Sequence, residues 1–408
     1  MAINTRRSFL RASAAVATAV RPILGANDRV RMALIGAGVR GNLVQKLFRT
    51  HEDCEFVAVC DVYESRLGET IASMGGKLAG YGDYRRVIER GDVDAVLVAT
   101  PDHWHSPITV DACAAGKDVY CEKPASNAIE PGLKMVEAAR KYNRVVQLGT
   151  QQRSSAHFKE AAEIVGSGKL GTVSHVMMAM AGGETQKPLP PEPVPEGLDW
   201  EMFQGPAPRR PFNRTRLNWR TYYAYGGGQI TDWGVHLVDS ALMFMNADHK
   251  TPLLTSVSAQ YTEVNDTEQI PNAFVCSWQY DNFVMSFTNV VPPNRDWQLH
   301  GNFFYGTNGV LQVHRQGYRV IPGQDRRGAA SGAAALQPKM VRADEQYFGN
   351  DPFTIAHTRN FLDCVKSRRR PVSDIEIGFN STLPTLLALL AVQKGRAFRW
   401  DGKKAIAV

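Results

Sequence analysis

From residue 30 onward, short apolar runs alternate with stretches whose apolar positions recur at helical spacing. The runs RMALIG, EFVAVCD, DAVLVAT, KDVYCEKP and RVVQLGT are continuous rather than alternating. Such runs mark strands buried on both faces, as in a parallel sheet covered by crossover helices. Between them, GNLVQKLFRT places Leu43, Val44, Leu47 and Phe48 at helical spacing, and PITVDACAAG reads as a second helix. Residues 29–150 are therefore predicted to form a doubly wound α/β domain. After residue 150 the pattern changes: TVSHVMMAM, NAFVCSWQY and NFVMSFTNV alternate apolar and polar positions and are separated by long loops. Residues 151–408 are thus expected to hold a large, mostly antiparallel sheet with one covered face. Residues 187–195, KPLPPEPVP, read as extended polyproline, and residues 322–338, with RRGAASGAAA, as a loop. A final helix is predicted over 380–395, NSTLPTLLALLAVQKG, stopped near Gly395 and followed by a short terminal strand.

Residues 1–28 stand outside this pattern. TRRSFLRASAAVATAV (5–20) joins Arg6 and Arg7 to Phe9-Leu10 and a short alanine-rich stretch. That is the form of a twin-arginine export signal, an address rather than a structural element; the alternative is an amphipathic or frayed tail. A working signal predicts a periplasmic protein, and a silent one a cytoplasmic protein. No run reaches the roughly 18 apolar residues of a membrane span.

A chain of 408 residues predicts two or three domains, and 44% hydrophobic with 21% charged residues fits a folded soluble protein. The charge balance, 47 basic against 40 acidic residues, falls to 43 against 40 once Arg6, Arg7, Arg11 and Arg21 of the leader are removed. A residue of +3 gives no concentrated basic face, so nucleic acid is not the expected partner. The one dense run, Arg368-Arg369-Arg370, reads as a solvated loop. The six cysteines, Cys54, Cys60, Cys113, Cys121, Cys276 and Cys364, show no CxxC and no zinc-like spacing. Cys60 and Cys121 end strand-like runs and read as small core residues; a periplasmic disulfide is allowed, but the sequence nominates no pair.

The first chemical signal is GAGVRG, with Gly36, Gly38 and Gly41 in GxGxxG spacing around Val39 and Arg40, between an apolar strand and a helical pattern. The first glycine permits the tight turn, the second lets backbone approach a diphosphate, and the third lets helix and strand pack closely, with the helix N-terminus facing the anion. Asp61 lies 20 residues after Gly41, at the end of the next apolar run, where a carboxylate accepts hydrogen bonds from ribose hydroxyls. The frame is a Rossmann dinucleotide site for NAD; NADP stays compatible because Arg66 is near enough to neutralise its extra phosphate. ATPDHWHSP follows another strand end, so Thr100, Pro101, His103 and His105 are expected to border the cofactor. CEKP places Glu122 and Lys123 at the next strand end, with the cation pointing toward the nicotinamide. In TDWGVHLVD, Asp232 and His236 are four apart, on one face if the segment is a helix. That spacing suits a metal, a quiet core pair or proton transfer.

Together GAGVRG, the Cys60-Asp61 pair, TPDHWH, EKP, GTQQRS (149–154), the proline-rich segment leading to GLDW, and GGGQITDWGVHLVD resemble the glucose-fructose oxidoreductase and inositol dehydrogenase family (Gfo/Idh/MocA), in its exported bacterial branch. The resemblance covers nearly everything from residue 30 onward. It implies an N-terminal Rossmann domain, a C-terminal α/β domain whose open sheet forms a dimer or tetramer, and a nicotinamide cofactor at the interface, with Gln151 among its contacts. It also implies Lys123, Asp232 and His236 as the catalytic set, with Glu122 positioning the lysine or the cofactor. Resolved this way, the aspartate–histidine spacing serves proton transfer and no metal. The expected reaction is hydride transfer at a hydroxyl of a sugar, glycoside or polyol, with a tightly held NAD. In NWRTYYAYGGG, Arg220, Tyr222 and Tyr223 offer sugar contacts or, equally, packing residues. The alternatives are a redox-neutral cleavage or epimerisation through a transient keto-sugar, and a non-catalytic dinucleotide- or sugar-binding protein.

Overall fold

In the computed structural model, which describes residues 29–183, 185–262, 268–291, 300–324, 336–342 and 351–408, the chain is organised around two sheets. The leader expected at 1–28 and the RRGAASGAAA segment lie outside the described residues.

The first sheet has six parallel strands in the order β3-β2-β1-β4-β5-β6. Its chain order is β1 (Val30–Ile35), α1 (Val39–Phe48), β2 (Cys54–Cys60), α2 (Glu64–Ser73), β3 (Ala79–Tyr81), α3 (Tyr84–Ile88), β4 (Ala95–Val98), α4 (Asp102–Ala114), β5 (Asp118–Cys121), α5 (Ile129–Lys141) and β6 (Val146–Leu148). β4, β5 and β6 are buried at every residue, the physical content of their unbroken apolar pattern. β3 was not anticipated. It is a three-residue edge strand, partly exposed throughout, and too short to leave a periodic signal. α4 begins five residues before the PIT segment, so His103, Trp104 and His105 lie in its first turns rather than in a loop.

The second half runs through α6 (Ala156–Gly166), β7 (Val173–Ala179), α7 (Trp200–Gln204), α8 (Gly228–Asp232), α9 (Gly234–Phe244), β8 (Leu254–Gln260), β9 (Ala273–Gln279), β10 (Val284–Thr288), β11 (Gly301–Gly306), β12 (Gly309–His314), β13 (Gly317–Pro322), β14 (Lys339–Arg342), α10 (Pro352–Ser367), α11 (Ile375–Lys394), β15 (Phe398–Trp400) and β16 (Ala405–Ala407). Ten strands form the sheet β14-β13-β12-β11-β7-β10-β9-β8-β15-β16, antiparallel except for the β7–β10 pair. Along β9, Phe274, Cys276 and Trp278 face the core while Val275 and Gln279 are exposed, the alternation of a sheet covered on one side. The cover is made by α6, α9 and α11, through Phe158, Leu237, Val238, Leu242, Ala388 and Leu389.

The last two helices also complete the first half. From α10, Phe361, Leu362 and Val365 pack with Val30, Met32, Leu34 and Phe48, and Phe361 meets Phe48 and Tyr120 edge-on at 5.8 Å in each case. α11 starts at Ile375, five residues earlier than its apolar pattern, because Asp374 caps it by accepting from Glu376 N. Gly395 ends it in the left-handed region at φ 61°. Although long and apolar enough to cross a membrane, α11 is a core helix here. Arg369 and Arg370 are exposed in a loop, as expected for the arginine run, but Arg368 is half-buried. It ends α10 in the left-handed region and donates to both carboxylate oxygens of Asp118, tying α10 to β5. All six cysteines are buried thiols.

A buried ionic knot joins the C-terminal helices to residues 151–154. Arg153 Nε donates to both oxygens of Asp239 at 2.8 Å, its Nη2 donates to Asp248 at 2.6 Å, and Ser381 adds a bond to Asp239 at 2.8 Å. Removing one partner strands a buried charge, which costs about 3–5 kcal/mol. Asp239→Ala is therefore expected to lower stability by that order, seen as a shifted midpoint in urea unfolding, whereas Glu130→Ala on the surface leaves the midpoint unchanged.

Candidate active site

A cleft of about 840 Å³ opens at the carboxyl ends of β1, β2, β4 and β5, closed on its far side by the C-terminal half. Gly36, at φ 97°, has no room for a side chain: a Cβ there would lie 2.6 Å from the Ala99 carbonyl carbon. A Cβ on Gly41 would approach Gly36 O to 2.0 Å, so helix and turn are in direct contact. Gly38 differs, since a Cβ there would meet no protein atom within 4 Å. It is the N-cap of α1 and lines the cleft, leaving an open cradle in front of the helix N-terminus. Val39, almost fully exposed, and Arg40 continue this rim.

Asp61 accepts from Ala37 N at 2.7 Å with one oxygen and from Tyr63 N at 2.9 Å with the other. Burial raises its pKa while these amide bonds oppose the rise, and each oxygen keeps a lone pair for a ribose hydroxyl. The segment leading to GLDW roofs this end: Glu64 N donates to Gly197 O and Asp199 N to Val62 O, both at 2.9 Å, which brings Leu198 and Met202 over the cleft.

At the other end, two halves of the chain meet. Lys123, followed by a cis bond to Pro124, donates from Nζ to Asp232 Oδ1 at 2.6 Å and to Asp232 O at 2.8 Å. Arg220 Nε donates to the same Oδ1 at 3.2 Å. Burial alone would raise the pKa of Asp232, but the charges of Lys123 and Arg220 outweigh it and hold it at about 2. Glu122, behind Lys123, is within 2.9 Å of Arg40 Nε, so the glycine turn and the EKP turn are linked by charge.

Asp232 and His236 do not share one helix. The chain breaks at Trp233, which ends α8 and precedes α9, and the aspartate reaches Lys123 rather than the imidazole. His236 lines the cleft with its Nδ1 buried and unpartnered, so Nε2 is the nitrogen left to face the cleft. Burial, then the cations Lys123, Arg315 and Arg40, push its pKa well below the usual histidine value and keep it neutral at pH 7.

Thr100, Pro101, His105, Glu122, Gln151 and Arg220 line the cleft as expected from the sequence. His105 does so as a brace, with Nδ1 2.7 Å from Pro124 O and Nε2 3.0 Å from Thr100 O. His103, Tyr222 and Tyr223 do not. His103 and His105 are two apart on a helix and cannot face the same way. His103 instead contacts Phe203 O at 2.9 Å, and burial lowers its pKa to about 4. With both tyrosines it lines a second cavity of about 1120 Å³, away from the glycine turn. Tyr222 is buried there, its hydroxyl 2.6 Å from Thr215 Oγ1.

Sequence reasoning missed Asp102, Trp219, Trp233 and Arg315, which all line the cleft. Asp102 stands inside TPDHWH, so its position was visible though its role was not; Arg315, in the β12–β13 turn, left no signal. The orphaned buried atoms Thr100 Oγ1, Asp102 Oδ1 and Gln151 Oε1 belong to residues that line this cleft. With the open cradle at Gly38 and the carboxylate at Asp61, they fit a dinucleotide. Among the described residues no group of three or more His, Cys, Asp or Glu is placed to hold a metal.

Comparison with known proteins agrees with this geometry. Residues 30–150 match the model of an oxidoreductase family with NAD-binding Rossmann fold, and residues 156–284 match the C-terminal alpha/beta domain of the same family. The chain is 36% identical to inositol 2-dehydrogenase 3 of Saccharopolyspora erythraea over 145 residues, 35% of this chain and 42% of that relative. It is 28% identical to D-glucoside 3-dehydrogenase of Escherichia coli over 358 residues, 86% of this chain and 92% of the relative. The fold is similar to that of aldose-aldose oxidoreductase from Caulobacter crescentus, solved with glycerol, at a TM-score of 0.66 and 20% identity, covering 91% of this chain and 100% of that one. The inositol dehydrogenases it matches are thus spanned over less than half their length. Two consecutive domain models of one family, the first over the parallel sheet and the second over the first strands of the ten-stranded one, identify the chain as a member of the Gfo/Idh/MocA oxidoreductases, with an NAD-binding Rossmann domain.

Proposed function

We propose that the protein oxidises or reduces a hydroxyl of a sugar, glycoside or polyol, with NAD held in the cleft. The observation that carries this reading is the meeting of Lys123, from the end of β5, with Asp232 and His236, from α8 and α9, beside the glycine turn. The turn at Gly36 and Gly38 and the N-terminus of α1 would hold the diphosphate, and Asp61 the ribose hydroxyls. When bound, NAD supplies the group that accepts or returns the hydride.

The chain's own residues handle the proton and the charge. His236, neutral, takes the hydroxyl proton on Nε2 in the oxidative direction. Lys123, fixed by two bonds to Asp232, places its ammonium against the developing alkoxide, a contribution of a few kcal/mol to the barrier. Asp232 stays ionised and works through the lysine as a positioning residue. Similarity to a glucoside dehydrogenase over most of both chains supports the carbohydrate class. The roof made by Gly197 to Asp199 supports a cofactor retained between turnovers, and release of NAD on denaturing the purified protein tests that. The exposed Val275, Val284, Ile321 and Met340 support a dimer or tetramer formed through the ten-stranded sheet, and the Arg6-Arg7 segment supports export to the periplasm.

Gly38→Ala is expected to keep the wild-type melting temperature, since its Cβ meets nothing, yet to weaken NAD binding by intruding on the cradle where the backbone must approach the diphosphate. Gly36→Val should lose both binding and stability. Titration calorimetry and thermal melting read the two effects separately.

On a turned-over substrate, Lys123→Met and His236→Asn are each expected to lower kcat by about 10²- to 10⁴-fold. A base whose pKa lies well below 6.5 is already neutral at pH 6, so its protonation imposes no loss of rate on going from pH 8 to pH 6. A wild-type kcat/KM that falls through pH 6.5 would show that His236 is not held neutral by its surroundings, and a His236→Asn variant with full activity would remove it from the base role.

A further inference from the structure

The end of the cleft that holds Lys123 is rich in cations. Lys123, Arg220 and Arg315 line it together with Trp219 and Trp233. Lys123 Nζ and Arg220 Nε both donate to a single oxygen, Asp232 Oδ1, so one carboxylate serves two cations. Neighbouring acids are committed elsewhere. Glu122 faces Arg40, Asp61 accepts two backbone amides, and Asp351 caps α10 through Phe353 N, Thr354 N and the Thr354 hydroxyl. Asp102 adds little negative charge, because burial raises its pKa well above the usual carboxylate range. Among the described residues, Asp232 is thus the one carboxylate paired with Lys123 and Arg220, so two cations share a single anion beside the reacting hydroxyl.

Arg220 is held in a way that suits one kind of ligand. Its guanidinium carbon lies 4.3 Å from the centroid of the Trp219 ring, and its Nε is fixed on Asp232, so the plane of the group is set from two sides. Its two terminal amines, Nη1 and Nη2, make no hydrogen bond to any described residue, and the side chain is 46% exposed. A flat guanidinium with two free parallel donors matches the paired oxygens of a carboxylate or phosphate, and little side-chain freedom remains to be lost on binding. Arg315 lies over the Trp233 ring at 4.5 Å, at the same end of the cleft.

We propose that the substrate is an anionic carbohydrate, a sugar acid or a sugar phosphate, whose oxyanion is bound by Nη1 and Nη2 of Arg220. The proposal rests on the reading of the cleft as a carbohydrate oxidoreductase site and narrows its substrate class. Because Arg220 and Lys123 bond the same oxygen of Asp232, the oxyanion sits close to the hydroxyl that reacts. The aspartate therefore sets the register between recognition and chemistry.

The test uses the full-length protein with NAD and three probes on one ring: methyl β-D-glucopyranoside, the corresponding methyl glucuronide, and the corresponding 6-phosphate. One of the two anions is expected to exceed the neutral sugar in kcat/KM by about 10- to 100-fold, mainly through KM, with the advantage shrinking as salt is raised. Which anion prevails identifies the source of the oxyanion. In Arg220→Gln, where loss of the bond to Asp232 lowers all rates, the readout is the ratio: anion and neutral sugar should come within about threefold. Equal kcat/KM for all three probes in the wild type, or an anion preference that survives Arg220→Gln, overturns the proposal and leaves the oxidoreductase reading standing. Calorimetry separates the opposite case. If no probe is oxidised yet one anion binds and Arg220→Gln abolishes that binding, the anion site stands and the oxidoreductase reading falls. If neither anion is turned over or bound in an Arg220-dependent way, the proposal is wrong.

Discussion

The bond on which the site depends is the one between Lys123 Nζ and Asp232. It joins residues 109 apart in sequence, one at the end of the fifth parallel strand and the other at the break between two C-terminal helices. An ion pair taken out of water is a poor source of stability, because desolvation consumes most of its Coulombic gain. Its value lies in placement. A lysine at the end of a strand has four rotatable bonds, and without a fixed acceptor its ammonium would sample much of the cleft. Two hydrogen bonds from one nitrogen to one residue, to the side chain and to the backbone carbonyl, remove that freedom.

The rest of the architecture keeps the two ends of this bond in register. α10 and α11 come late in the chain, yet Phe361 and Ile375 are buried in the cores of the first half, while Ala388 and Leu389 are buried in the core of the second. The two sheets are therefore not beads on a linker. α11 packs against both, and the buried Arg153–Asp239–Ser381 knot ties α9 and α11 to the segment that follows β6. His105 braces the loop after β4 to the cis-proline turn after β5 through backbone carbonyls. Arg40 and Glu122 couple the glycine turn to that same lysine-bearing turn. A ligand that orders one loop orders its neighbours.

What could be read from the sequence was whatever local pattern determines. Unbroken apolar runs report burial on both faces, and they located five of the six parallel strands; the sixth, Ala79–Tyr81, is half exposed and carried no such mark. The glycine spacing and Asp61 report a turn whose geometry is set within about 30 residues, and the structure gives each glycine a separate steric reason. Side-chain direction was less legible. It depends on helix phase, which shifts when a helix starts a turn earlier than its apolar stripe, as α4 does, sending His103 to the back of the helix. Tyr222 and Tyr223 went astray for a related reason: in a stretch of 3-10 turns and loop, neighbouring residues have no period to reveal their facing. Arg315 reaches the cleft only through the pairing of β12 with β13, a long-range fact.

The division of labour between Asp232 and His236 follows from one feature, the cations around them. His236 is buried and Asp232 partly so, and burial disfavours charge on each. For the carboxylate, Lys123 and Arg220 more than repay that cost and it stays ionised; for the imidazole, Lys123, Arg315 and Arg40 add to it and the ring stays neutral. In the proposed reading, one positive field prepares a permanent anchor for the lysine and an empty proton acceptor beside it, without either group having to touch the other. This explains why no hydrogen bond between the two is needed, although their spacing invites one. Environments that drive two titratable groups apart in pKa are the usual means by which a site assigns acid, base and electrostatic roles at neutral pH. Here the groups proposed for those roles are drawn from both halves of the chain, so the proposed chemistry needs the halves docked.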